Sequence, residues 1–423
     1  MTEYLTPHAI LFAVFCIGYL GIIFEYQIKV NKTAVALLLA GLCWVIYFVG
    51  DPIPVKECIS SLSIHLSGVS QILFFLLGAM TLVELIDSHK GFDTVVHYLH
   101  TNSMKKLLWL MSFISFFLSA ILDNLTTTIL MISLLRKLVP VRSERFVLSI
   151  MVVVAANAGG AWTPIGDVTT TMLWIGGQLT TLEVMREIFI PSLISMLIPL
   201  GYYTLTTNGE TTTPKRDIRD IQLEPGAHTI FVLGLIAFLF VPVFKWLTGL
   251  PPFMGMIVSL AVLWLVTDLM HHKHEQRDHL RVPHILTKID VSNILFFLGI
   301  LLSVDAIEST GMLSTAADLL DTYIGNTTLI AAAIGVFSAI IDNVPLVAAT
   351  MGMYPIEQFP QDSKLWMLIA YAAGTGGSML LIGSSAGVAL MGIEKISFFS
   401  YMRKATLPVF AGFLVGLGIY VFL

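Results

Sequence analysis

The chain has 423 residues, 56% of them hydrophobic and only 12% charged, with a net charge of −5. A soluble domain carries roughly a quarter charged residues, so this chain cannot solvate its own surface in water. Its small negative balance gives no sign of a nucleic-acid partner, and three cysteines, Cys16, Cys43 and Cys58, make neither a disulfide nor a zinc framework.

Apolar runs about twenty residues long, enough to cross a bilayer core as helix, recur along the chain. The first, 8–28, precedes the first positive charge, Lys29, so it reads as an uncleaved span and not a signal peptide. Further spans are predicted over 32–49 and 69–87, then an interrupted apolar segment over 105–138, a Gly-interrupted one over 146–177, and a span over 187–206. The polar, Thr-rich stretch 208–227 follows. The pattern then starts again, with spans over 229–248, 252–270 and 292–309, interrupted segments over 326–354 and 364–393, and a last span over 404–423. None of these runs alternates as barrel strands do.

The second series is a copy of the first. Ser119-Ala-Ile-Leu-Asp123-Asn124 returns as Ser338-Ala-Ile-Ile-Asp342-Asn343, and the Phe-Leu-Gly stretch ending at Gly78 returns ending at Gly299, with Glu84 matching Asp305. Gly159-Gly160 followed by Ile165-Gly166-Asp167 returns as Gly376-Gly377 followed by Ile382-Gly383-Ser384. The offsets are 219, 221 and 217, in the same order along the chain. The expected organisation is a first repeat over 1–207, a cytoplasmic linker over 208–227 and a second repeat over 228–423.

Topology follows from charge. If each Asp-Asn segment is a hairpin that leaves on the side it entered, each repeat has five full spans and the repeats are inverted. One side then holds 19 of the 23 Lys and Arg, all but Lys56, Arg186, Lys245 and Lys364. Single crossings would split them 10 against 13. The positive-inside rule selects the hairpins, with the basic side cytoplasmic and both termini outside. The expected fold is an all-α polytopic membrane protein of two inverted repeats, each about five spans plus a re-entrant hairpin carrying Asp-Asn.

The strongest candidates for chemistry are Asp123-Asn124 and Asp342-Asn343, in the middle of apolar segments. A carboxylate there costs at least a few kcal/mol and marks a functional site by default. Hairpins entering from opposite faces bring their tips together near the midplane, where broken helices expose carbonyls and helix ends. Pro345 favours a break after Asn343. Thr126 and Thr127 offer hydroxyls close behind Asp123, although threonine in a membrane helix often bonds its own backbone. Each aspartate also suits the N-cap of the half-helix that follows.

The second candidate is Asn157-Ala-Gly-Gly-Ala-Trp-Thr163-Pro-Ile-Gly166-Asp167, matched by the stretch from Gly374 through Gly383 to Ser384 and Ser385. Breaks at corresponding positions of two halves point to a transporter's binding site. The counterpart of Asp167 is Ser384, so the half-sites differ chemically.

The donors are carboxylate, amide, hydroxyl and carbonyl oxygens, which suit a hard cation. Na⁺ is expected at Asp123, Asn124, Asp167, Asp342 and Asn343. Burial makes an ionised carboxylate costly and a bound cation restores it, so proton and cation compete for one oxygen. No Lys or Arg lies in these motifs to receive an anion. Glu84, Asp87, Asp305 and Glu308 near span ends read as interfacial. The His-rich run from His271 to His284 is able to sense pH or bind metal but reads first as a solvated cytoplasmic loop.

These motifs resemble the ion-transporter superfamily and, within it, NhaD-type sodium/proton antiporters, along nearly the whole chain. Dicarboxylate-carrying relatives typically have Ser-Asn-Thr at the hairpin tips, where this chain has Asp123 and Asp342. The resemblance implies exchange of Na⁺, and of Li⁺ as a candidate, for H⁺ by alternating access in a bacterial inner membrane. It further implies no cofactor, no enzymatic activity, and a homodimer with scaffold and transport domains. The alternative within the superfamily is a sodium-coupled dicarboxylate or arsenite transporter. An intramembrane aspartyl protease fits less well, because Pro164 stands in place of the first Gly of its Gly-x-Gly-Asp motif and duplicated hairpins serve no purpose there.

Overall fold

A computed structural model of the chain describes residues 7–50, 54–92, 103–139, 141–207, 224–273 and 275–422. All but the last four residues of the expected linker 208–227 lie outside them. The regular structure is helical. Eight of the described helices are long and apolar enough to cross a membrane, and the protein is a multi-pass α-helical membrane protein.

The first half contains α1 (Pro7–Ile23), α2 (Lys32–Gly50), α3 (Val55–Ser88), α4 (Met104–Ser119), α5 (Asn124–Leu138), α6 (Arg142–Ala161), α7 (Val168–Ile175) and α8 (Thr181–Thr206). The second contains α9 (Ala227–Thr248), α10 (Pro252–His271), α11 (Val291–Glu308), α12 (Met312–Tyr323), α13 (Thr327–Ser338), α14 (Asn343–Met353), α15 (Lys364–Gly376), α16 (Ser385–Glu394) and α17 (Phe398–Phe422). A few one-turn helices are left unnumbered.

Both Asp-Asn segments are broken where the sequence predicted, between α4 and α5 and between α13 and α14. Both Gly-interrupted segments are broken as well, between α6 and α7 and between α15 and α16. The residue before each second half-helix caps it. Asp123 accepts from the Thr126 N–H, Asp167 from Thr169, Asp342 from Val344 and Ser384 from Gly387. A side-chain oxygen at this position satisfies one of the orphan donors of a helix start.

Two expectations are corrected. α3 begins at Val55, not near 69, and has 34 residues. Lys56, Glu57 and a series of serines hide its first turns from an apolar count. In the second half α12 precedes the broken Asp-Asn segment, where no span was expected; it meets α13 at a bend of 119°. Its apolar residues lie on one face only, so it never reads as a continuous apolar run. Gly325 makes the corner with a φ of +60°, a backbone state that glycine adopts without penalty.

The helices pack around two hydrophobic cores. One joins α4, α5, α6 and α8 to α13, α15, α16 and α17. The other joins α1, α2 and α3 to α9, α10 and α11, and takes in Leu122 and Ile165 from the breaks and Val344 from the first turn of α14. The broken segments therefore lie at the seam between the two cores. Corresponding pairs recur in the halves: α4 packs on α6 as α13 packs on α15, and α1 on α2 as α9 on α10.

Candidate functional site

Small residues let the breaks touch. A Cβ on Gly166 would lie 2.5 Å from the carbonyl oxygen of Ser119, and one on Gly383 would lie 2.5 Å from that of Ser338. Each glycine thus abuts the Asp-Asn break of its own half. The Thr163 hydroxyl donates to the Ala120 carbonyl at 2.6 Å and accepts from the Gly166 N–H at 3.0 Å. Ser119 and Ser338 donate to the carbonyls of Ala156 and Ala373. These contacts hold each Asp-Asn break against its partner break.

On that frame the polar side chains converge. Asn124 donates from its amide nitrogen to Asn157 Oδ1 and to Asp167 Oδ2, both at 3.0 Å. Asn157 donates to the hydroxyls of Ser378 and Ser384, both at 2.9 Å. The hydroxyl of Ser385 faces Asn124 Oδ1 at 3.4 Å. Asp167 Oδ1 accepts from the N–H and the hydroxyl of Thr169. Asn124, Asn157, Asp167, Asn343 and Ser384 are all buried.

The aspartates of the two Asp-Asn breaks are held differently. Asp123 accepts from the Thr126 N–H on one oxygen and from the Thr126 hydroxyl on the other, both at 2.7 Å. Asp342 accepts the Val344 N–H at 3.3 Å, and its other oxygen lies 3.6 Å from Lys32 Nζ. Asp167 lies within electrostatic range of both. The Thr127 hydroxyl and the amide nitrogen of Asn343 are buried without a hydrogen-bond partner.

The site has an opening. A small cavity of about 50 Å³ is lined by Asp123, Asn124, Thr126, Val168, Asn293 and Ser385. It shares Met80, Leu125 and Thr126 with a cavity of about 490 Å³ lined by Glu84, Asp87, Lys288 and Asp290. A third cavity, about 310 Å³, holds His65, Asp305 and Glu308 and reaches Ala348 and Met351 of α14. His65 and Glu84 are separated by roughly 28 Å along α3, so the two larger cavities lie at well-separated levels along that helix. The acids that the sequence placed at span interfaces line these vestibules.

All the predicted polar side chains except Asp342, Asn343 and Thr127 are joined through hydrogen bonds to the Asp123 or Asp167 clusters or to the Asp-Asn breaks. Three partners were not predicted. Thr169 stands two residues after Asp167, and Ser378 directly follows Gly376-Gly377; both signals were within the motifs. Lys32 lies outside the motifs, which hold no Lys or Arg, yet its ammonium reaches Asp342, and nothing around it in the sequence points there. Lys245, in the last turn of α9, donates to the Trp174 carbonyl at 2.8 Å.

A protein-family model described as a citrate transporter matches residues 19–363. The chain is 53% identical to sodium/proton antiporter 1 of Arabidopsis thaliana, over 96% of this chain and 71% of that protein. It is 49% identical to sodium/proton antiporter 2 of the same plant, over 96% and 97% of the two chains. It is 31% identical to the Na⁺/H⁺ antiporter NhaD of Alkalimonas amylolytica, over 97% of this chain and 89% of that one.

Proposed function

The chain belongs to the family of NhaD-type sodium/proton antiporters, and on that basis we propose that it exchanges Na⁺ for H⁺ across its membrane at the Asp123–Asn124–Asp167–Asp342 cluster. The observation that carries this reading is the buried network in which Asn124 bridges Asp167 and Asn157 beside Asp123. Three carboxylates at a seam of two cores are stable only when charge is neutralised. A proton or a Na⁺ meets that need, and the oxygen donors suit no softer ion.

The inverted repeats supply the access. Vestibules at well-separated levels along α3 approach α5 and α14, the helices that Asp123 and Asp342 cap. Relative motion of the two cores along their seam would open the site to one vestibule at a time. Relatives occur in plants and bacteria alike. What carries to this chain is therefore the topology, with the basic loops on the side where the chain is made. In a bacterium that side is the cytoplasm, and both termini are periplasmic.

The family model's citrate label keeps anion transport as the second reading. Against it, Lys32 is the one cation paired with an aspartate of the Asp-Asn breaks among the described residues, and it is already matched by Asp342. The test is dissipation of a pH gradient in proteoliposomes. Na⁺ should collapse the gradient and citrate should not. Citrate uptake without Na⁺-driven proton movement would reverse the assignment.

A further inference from the structure

Lys32 begins α2, and its neighbours fix it in place. Its N–H donates to Glu25 Oε1 at 3.1 Å, and the next residue, Thr33, donates from its hydroxyl to the Ser292 carbonyl at 3.0 Å. Further along the same helix pair, Trp44 Nε1 donates to the Leu302 carbonyl at 2.8 Å. α2 and α11 thus form a braced post in the second core, with Lys32 at its end.

A lysine at the start of a membrane helix has an easy alternative, which is to extend into water. Lys32 turns inward instead. Its ammonium lies 4.2 Å from the centre of the Phe296 ring and 3.6 Å from Asp342 Oδ2. Its side chain is 23% exposed, and that of Asp342 19%. The carboxylate contact is an ion pair longer than a hydrogen bond, and the ring face is a second seat for the same cation. Among the described residues Asp123 has no such partner; both its oxygens are taken by Thr126. One of these two aspartates is therefore served by hydroxyl and amide donors and the other by a tethered ammonium.

We propose that Lys32 is a built-in counter-cation that replaces Na⁺ on Asp342 when the ion leaves and retreats onto the Phe296 ring when it binds. This rests on the exchange reading above and adds to it a specific competitor. Na⁺ must displace the ammonium to use Asp342, so the lysine weakens Na⁺ binding and speeds its release. The ammonium covers the partly buried carboxylate in the interval between departure of Na⁺ and arrival of the proton that replaces it.

Lys32→Met should lower both the Na⁺ KM and the kcat of exchange in proteoliposomes. It should tighten Na⁺ binding to detergent-purified protein by about fivefold, the weight of one partly exposed ion pair. Lys32→Arg, which keeps the charge, should hold the Na⁺ affinity near that of the parent. A purely structural salt bridge would lower the yield of folded protein and leave Na⁺ affinity unchanged in what remains. Equal Na⁺ affinity in Lys32→Met and the parent overturns the proposal. Absence of Na⁺-driven proton movement in the parent itself is the different result that would overturn the exchange reading.

Discussion

The amide nitrogen of Asn157 and the hydroxyl of Ser384 lie 2.9 Å apart, although 227 residues separate them in the chain. This bond joins the Gly-interrupted break of the first half to that of the second. The two breaks are not equivalent, because Asp167 stands where the second half has Ser384. Ser384→Ala removes one of two hydroxyls that receive the Asn157 amide, and Ser378 remains. One neutral hydrogen bond contributes about 1 kcal/mol, or about fivefold. Asp167→Asn removes a charge that accepts from Thr169 and Asn124, and hydrogen bonds to charged groups are roughly twice as strong. Na⁺ exchange should fall more than about tenfold for Asp167→Asn and about fivefold or less for Ser384→Ala. Equal losses, measured as kcat/KM, would remove Asp167 from the ion site.

Among the described residues Arg145 and Glu394 form the most buried ion pair outside the site, with side chains 8% and 3% exposed. The guanidinium donates to both carboxylate oxygens, at 3.0 and 2.8 Å, and to the Val139 carbonyl at 2.6 Å. The pair clasps the start of α6 to the end of α16. Removing one partner strands the other charge, at a cost of about 3–5 kcal/mol. Glu394→Gln should therefore lower the melting temperature clearly. The double variant Arg145→Met, Glu394→Met should recover much of the loss. A double variant no better than Glu394→Gln would argue against a stranded charge as the cause.

His89 follows α3 and packs on His271, which is not part of a solvated loop but the last, buried residue of α10. His89 Nδ1 donates to the Leu85 carbonyl at 2.8 Å, which leaves Nε2 to accept from His271 Nε2 at 3.1 Å. Burial pushes the His89 imidazole down from 6.5 to about 4; the Leu85 carbonyl and Glu224 oppose that shift, and His271 and His279 add to it. Above pH 6.5 the ring is neutral folded or unfolded and contributes no pH dependence. Between 6.5 and about 4 the unfolded chain takes up a proton that the folded one refuses, so stability falls as pH falls. Melting temperatures should drop through this window, and His89→Gln should flatten the drop. Parallel profiles for parent and variant would exclude His89 as the cause.

Much of the site was legible because membrane residues announce themselves by breaking an apolar run. Asp123, Asn124, Asn157, Asp167, Asp342 and Ser384 all do so, and duplication told which breaks matter. What the sequence hid is of two kinds. Elements with a polar face, the first turns of α3 and the whole of α12, do not register as apolar runs. Partners distant in the chain are also silent: Lys32 and Asp342 are 310 residues apart, and His271 looks like the first residue of a charged loop until α3 packs on α10.

Sidedness has a direct check. Single cysteines replacing Arg142, Arg216 and Lys273, in a chain with Cys16, Cys43 and Cys58 removed, should resist an impermeant maleimide in intact bacterial cells and react after the cells are opened. Arg216 lies outside the described residues, so the label also reports on the expected linker. The motivation is the separation of 19 basic residues from 4. Two or more of these positions reacting from outside would invert or dismantle the topology.

The proposed exchange puts the central role on the aspartates of the two Asp-Asn breaks. Asp123 caps α5 with both oxygens occupied by Thr126, and Asp342 caps α14 with Lys32 nearby. Capping alone needs no charge, because asparagine caps a helix about as well as aspartate. Asp123→Asn and Asp342→Asn should therefore keep the helices and the folded protein in the membrane. Neither amide takes up or gives up a proton, so each variant should lose Na⁺-driven proton movement by more than about tenfold, the scale of losing a buried charged partner. The measurement is a pH-dye trace in proteoliposomes, normalised to the monodisperse protein recovered. Loss of folded protein in step with activity would give both carboxylates a structural role in place of a transport one. Undiminished exchange in both variants would place proton and cation elsewhere, with Asp167 as the remaining buried carboxylate of the cluster.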